Sequence, residues 1–518
     1  MNNKALIIGS HPIRKSIIKQ YEALGYSIEL ANNVAEAQGK DYHELCILPQ
    51  NGSADHDMLQ ALETFATSYP ETPEGQSKPL CHLLLHDKVT LWLLQTLDLY
   101  SEIHKKFELY AFTMEDQWAK NVFCGLSNVN SFPPLDREKI DSNSNKTVHL
   151  VIASFSDLGE SLALHATLIA HFPNYVRNQV LRTRITIVDK EMAAKKDAFI
   201  QRYTSLFENS YYRCIDLHHR SMTQYHEPVY HASREVFVDV EWEFVDGDFY
   251  DPLFQMKLQL WADDKEQILT LALCDTDYNI NFDRAFTLPK NIYQNSITVL
   301  VHTQRSGILD KVHETEGYHN LYPIGMDDCG YDIRLPLLQI AKRLNYFYTC
   351  SYGQEGIPTE MSLEKVEAAW RNVPTFSMRY SNIYNVMTMA TKMRSLGHEE
   401  KDWDKFFALT LEEIEQISAV EHNRWSTERL ILGFRPPTDT EREEIRRNIE
   451  AFITAKTTGK EMPEQDLKNL YKKKKIHYDL CSYRELSEDK TGQNVRLYDY
   501  DLTACIPLIA QSFKESQP

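Results

Sequence analysis

Nowhere in the 518 residues is there a run of about 18 uninterrupted apolar side chains, so no segment reads as a membrane-spanning helix. The opening, MNNKALIIGS, lacks the apolar stretch of a secretory signal and passes directly into a strand. Cysteine is scarce and scattered. The nine residues, at 46, 81, 124, 214, 274, 329, 350, 481 and 505, form no C-x-x-C pair, which argues against a disulfide framework and against a zinc motif. These absences lead to the expectation of a cytoplasmic protein without direct membrane insertion. Positive charge is also in deficit: Lys and Arg number 56 against 74 Asp and Glu, a formal charge of -18 that repels nucleic acid polymers and anionic membranes. The one basic run, 472–475, reads as a solvated helix face. No G-x-S-x-G elbow, Walker loop or H-E-x-x-H is present, so no catalytic residue is assigned and no metal is expected.

What is there is a repeated alternation of apolar strand runs with helical runs, at a length that calls for about three domains. The fold class expected is α/β: two doubly wound, Rossmann-like parallel-sheet domains followed by a mainly α-helical domain. The spans expected are 1–135, 146–330, a helical connector at 331–374, and 375–518. A polar, proline-containing stretch, 133–146, reads as the linker between the first two.

The most informative segment is 148–189. A strand run (148–153) meets a small-residue turn, then a helical run (158–172), then a second strand (184–188) ending on Asp189. In the dinucleotide-binding form of such a βαβ unit, a G-x-G-x-x-G turn brings backbone N–H groups to a pyrophosphate and the acid takes ribose hydroxyls. The turn here is Ser154-Phe155-Ser156-Asp157-Leu158-Gly159, with only the third glycine kept. A retained nucleotide site and a purely structural unit both fit these residues. The first segment is poorer, with Gly9-Ser10-His11-Pro12-Ile13-Arg14 at its turn and Asn32 or Asn33 where the acid would stand. Pro12 donates no N–H and Arg14 crowds the approach, so this crevice is expected to be obstructed.

In the middle segment, LVIASFSDLGESLALHA, ITIVDKE, FVDGDFYDPL and TLALCDTDYN together resemble a TrkA-N or RCK-type Rossmann domain, the NAD-binding regulatory module of bacterial potassium uptake systems; the first segment resembles the same family more faintly. The resemblance implies NAD(H) or another adenine nucleotide as cofactor, with Ser154, Ser156 and Gly159 at the pyrophosphate, Asp189 at the ribose, and Gly247 and Asp248 near the adenine. Asp275, at the next strand end, joins this set.

After Asp328 the chain turns helical, and a second pattern stands out: Arg379-Tyr380-Ser381-Asn382, then Glu421-His422-Asn423-Arg424-Trp425, then Gly433-Phe434, then a segment from His477 through Tyr483 to Leu486, and Asp499. It resembles the RyR domain, the helical repeat of ryanodine receptors that also occurs in bacterial proteins, where it can follow a TrkA-N domain. Arg379, Asn382, Glu421, His422, Arg424, Trp425, Phe434, His477 and Tyr483 form the expected ligand set. Guanidinium forks suit phosphate and aromatic rings suit bases. A buried polar network that only fixes helices fits the same residues. The function expected is a sensor or regulator that binds a small nucleotide-type ligand and couples it to homo-oligomerisation, or to an effector or channel protein, in ion-transport regulation or antiviral signalling. A nucleotide-processing enzyme using Asp248, Asp275 or His422 as acid or base, and a ligand-free scaffold, remain alternatives.

Overall fold

The computed structural model describes residues 3–37, 41–49, 54–73, 76–97, 100–124, 132–229, 235–315, 317–352, 361–373, 375–399, 403 and 407–515. Two sheets dominate the first two thirds. The first contains β1 (Lys4–Ile8), β2 (Ser27–Ala31), β3 (Glu44–Ile47), β4 (Leu80–Leu84) and β5 (Glu108–Phe112), in the order β2-β1-β3-β4-β5. All its pairings are parallel. Runs such as Ala5, Leu6, Ile7 and Ile8 are buried on both sheet faces, as a helix-covered parallel sheet requires.

The second sheet contains β6 (Thr147–Ala153), β7 (Thr183–Asp189), β8 (Tyr211–Asp216), β9 (Ser221–Met222), β10 (Val240–Asp246), β11 (Gln267–Leu273), β12 (Thr298–His302) and β13 (Leu321–Ile324). Its order is β13-β12-β11-β6-β7-β10-β8-β9. Only the β8–β9 hairpin is antiparallel. The winding reverses between β6 and β11, which opens a crevice at the carboxyl ends of those strands, beside the turn after β6. Three strands had no clear signal in the sequence. β8 carries Arg213 at mid-strand, β9 is two residues long, and β13 is an edge strand holding Pro323, which edge positions tolerate.

The last third is helical. Pro336–Tyr352, Leu363–Arg371, Phe376–Met387, Met389–Leu396, Leu411–Ile431, Asp439–Thr458, Leu467–Lys473, Arg496–Ala504 and Ile506–Glu515 follow one another. Helices Phe376–Met387 and Met389–Leu396 are separated by a break at Thr388, whose hydroxyl donates to the Asn385 carbonyl. Helix Leu411–Ile431 starts at a capping box, Thr410 with Glu413, as its sequence indicates.

The expected linker is a packed seam. Asp136 is buried and grips the Arg394 guanidinium at 2.7 Å, Arg137 reaches the Thr298 hydroxyl, and Ile140 is buried. The chain after β13 returns to the first sheet: the Tyr331 ring stacks on Phe112, and its hydroxyl lies 2.5 Å from His82. Lys342 and Trp370 both bond the Glu108 carboxylate. One apolar cluster therefore runs from Ala5 to Ala510. No helix among the described residues is long and apolar enough to cross a membrane.

Candidate functional site

The crevice of the second sheet is filled by the protein's own side chains. Ser154 takes the left-handed conformation (φ 76°) that the first glycine of a phosphate turn adopts, and its hydroxyl donates to Asp275 and accepts from Arg284, both at 2.8 Å. Ser156 caps the following helix by accepting the Gly159 N–H. Gly159 keeps its usual packing role, since a Cβ there would lie 2.7 Å from the Ser154 carbonyl oxygen. Asp189 does face the turn, but it accepts from Phe155 N–H (2.7 Å), Glu191 N–H (2.8 Å) and the Lys195 ammonium (2.9 Å). Burial raises its carboxyl pKa, and these bonds outweigh that and hold it below the usual range. Lys88, from the first sheet's layer, sits at the helix start against Asp157 and Glu160, where a phosphate would need to come. Gly247 donates its N–H to the Asp189 carbonyl, and Asp248 pairs with Lys190. Each acid expected to meet a nucleotide therefore already has an internal cation: Lys195 for Asp189, Lys190 for Asp248 and Arg284 for Asp275.

The helical pattern is arranged differently. From Ile417 to Leu432, helix Leu411–Ile431 and its cap are buried at every position except Trp425. Charged groups in such a setting survive only when paired. Arg424 forks onto Glu421 (2.7 and 3.0 Å) and reaches Glu428 (2.6 Å), while Lys392 bonds Glu421 (2.5 Å). Burial would raise Glu421, yet Arg424 and Lys392 hold it down at about 2. His422 directs Nδ1 at Asp499 (3.1 Å) and Nε2 at the Cys481 carbonyl (2.9 Å). Burial opposes its charged form, and those two acceptors overcome it, lifting its pKa to about 10. Asp499 is itself pushed up by burial. We take the pair as charged because both imidazole nitrogens point at acceptors, which only the imidazolium satisfies.

Beside this network lies a cavity of about 510 Å³, within the range of small-molecule sites. Asn382, Glu421, His422, Arg424, Trp425 and His477 all line it. His477 meets the Trp425 ring edge-on with centroids 4.8 Å apart, although the two are distant in sequence. Its Nδ1 accepts the Asp479 N–H at 3.4 Å, and Nε2 has no protein partner among the described residues. Burial, only partly opposed by Asp479 and reinforced by Lys472 and Arg429, drives its pKa to about 3, so at neutral pH it presents an uncharged N–H donor. Three expected residues lie off the wall. Arg379 stacks over Trp370 at 5.6 Å, Phe434 packs behind His477 under the Lys475 ammonium, and Tyr483 donates to Glu415 in a separate groove of about 240 Å³.

Other wall residues had no sequence signal. Asn345 and Asn385 are buried with Nδ2 and Oδ1, respectively, lacking partners among the described residues. Arg429 bonds Glu428 at 2.8 Å while its Nε is buried and unpartnered. Lys472 belongs to the basic run expected to be a solvated face; it is exposed, and it also lines the cavity. Arg429 could have been picked out as one turn beyond Trp425 on the same face; the asparagines come from helices whose approach no local pattern encodes. No group of three or more His, Cys, Asp or Glu among the described residues is placed to hold a metal ion. Comparison with family models, with curated proteins and with solved structures gives no match for the chain.

Proposed function

We propose that the protein is a sensor of a small anionic, ring-bearing ligand of the nucleotide class, bound in the cavity beside helix Leu411–Ile431. One observation carries this reading: Asn345, Asn385 and Arg429, each with a buried polar atom lacking a partner among the described residues, line together with His477 and the partly buried Trp425 ring a single cavity of about 510 Å³. Each such atom costs about 1–3 kcal/mol while unpaired, which a ligand that bonds it would recover. Glu421, His422 and Arg424 are assigned to the supporting network and the other groups to ligand contact. The layout is read as two Rossmann-like domains and an RyR-like helical domain, with the crevice of the second sheet in a structural role, since Lys88, Lys195 and Arg284 occupy it.

Coupling to a homo-oligomer or an effector would pass through the ligand-bearing helix. Asn423, beside His422, bonds Asp239 at 3.4 Å, and Asp239 holds His171 at 2.6 Å in the second sheet's layer. The acid–base candidates Asp248, Asp275 and His422 are each held in ion pairs, which favours binding over turnover. The test is a melting-temperature screen across nucleotides, with mass spectrometry of small molecules released from the purified protein. A ligand at 100 times its Kd stabilises by about 2.7 kcal/mol, which the screen resolves. Flat melting across the panel together with no released ligand overturns the reading.

A further inference from the structure

The charges around the cavity, followed partner by partner, leave a remainder that narrows the ligand further. His422 is matched by Asp499, and Lys468 by Asp479 at 2.8 Å. In the network beside the cavity, Glu421 and Glu428 face three cations: Lys392, Arg424 and Arg429. Arg429 is the one left short. Glu428 already takes Arg424 and the Ser381 hydroxyl on its other oxygen, and the Arg429 Nε remains buried without a partner among the described residues. Lys472 has no carboxylate within ion-pair distance among the described residues. Arg429 lies over the Trp425 and Phe434 rings, 5.8 Å from each centroid, and His477 meets the same two rings edge-on, so the under-matched guanidinium and the imidazole are neighbours, with Lys472 lining the same cavity. Asn345 and Asn385, from helices Pro336–Tyr352 and Phe376–Met387, line the same cavity.

We propose that the ligand is a phosphate monoester borne on a flat ring, a nucleoside monophosphate in type, whose dianionic phosphate is held by Arg429, Lys472 and the His477 N–H while its ring lies toward Trp425 and the two asparagines. This rests on the nucleotide reading above and specifies its phosphate. A monoester carries about -1.5 to -2 charges at neutral pH and offers three strong acceptor oxygens. A cyclic phosphate or other diester carries one charge and would leave one of the two cations unmatched in a partly desolvated wall, a loss that grows as the local dielectric falls.

The experiment is calorimetric titration of the full chain near pH 7.5, above the second phosphate pKa of about 6. The probes are the four nucleoside 5′-monophosphates, their 3′,5′-cyclic counterparts and ribose 5-phosphate. The expected result is that the best monophosphate binds at least about tenfold more tightly than its cyclic form. Lys472→Gln, on an exposed side chain, should lower monophosphate affinity about tenfold and cyclic affinity much less. Arg429→Gln should act in the same direction, with its apo melting temperature as the control for folding. Cyclic forms binding as well as monophosphates, or Lys472→Gln weakening both equally, overturn the monoester while leaving the nucleotide sensor intact. Ribose 5-phosphate binding as tightly as the best nucleotide overturns the ring. Binding by none of the probes removes the nucleotide reading and the monoester with it.

Discussion

His422 and His477, both buried and both in contact with Trp425, are pushed in opposite directions. The folded pKa of His422, about 10, lies above its ordinary value of 6.5, so its contribution to stability is complete below about pH 6.5 and is lost as pH rises toward 10. The folded pKa of His477, about 3, lies below that value. The unfolded chain therefore takes up a proton there first, and stability falls as pH drops from 6.5 toward 3. Urea midpoints measured from pH 5 to 9.5 should show both limbs; His422→Gln should flatten the alkaline limb and His477→Gln the acid one. At the same scale, Arg424→Ala leaves Glu421 and Glu428 short of a partner in a dry site and should cost about 3–5 kcal/mol without any ligand. Lys472→Gln should change apo stability by no more than about 0.5 kcal/mol. Equal effects of the two substitutions on the apo melting temperature would contradict this division between network and ligand contact.

Among the elements, helix Leu411–Ile431 shows what a sequence discloses and what it does not. Its start was legible because a capping box is a local device, and Thr410→Ala should cost about 1 kcal/mol, measurable as a shift in denaturant midpoint at unchanged slope. Its surroundings were not legible. Glu421, His422 and Arg424 at helical spacing read equally as ligand contacts or as a buried network, and which partners complete them follows only from the arrival of Lys392, Asp499 and Asp239 from distant segments. The strand alternation could be read wherever both sheet faces are covered, since continuous apolar runs such as β6 and β11 need no partner to be recognised. β13 could not, because an edge strand tolerates proline and so loses the pattern, and β8 could not, because Arg213 interrupts its apolar run. His422, Trp425 and His477 were found from residue type, whereas Asn345 and Asn385 required knowledge of which helices meet.

For the whole molecule, the second sheet's layer joins the helices through shared apolar packing and through a specific polar link. Asp239 accepts His171 on one side and Asn423 on the other. Ligand binding in the cavity should slow amide hydrogen exchange in β7 and β10 as well as in the helix, and Asp239→Ala should confine that protection to the helix. Exchange protection reaching β10 undiminished in the variant would show that another route carries the coupling. The buried helix also has a consequence for biosynthesis. His422 is completed by Asp499, which follows the helix in the chain, so a nascent protein holds that imidazole without its carboxylate until the aspartate has left the ribosome. At about 5–20 residues per second that wait lasts on the order of several seconds. During it the first sheet can close while the helix carries a buried imidazole without its partner, so truncated products ending before Asp499 should be less stable than the full chain and be held by chaperones or degraded.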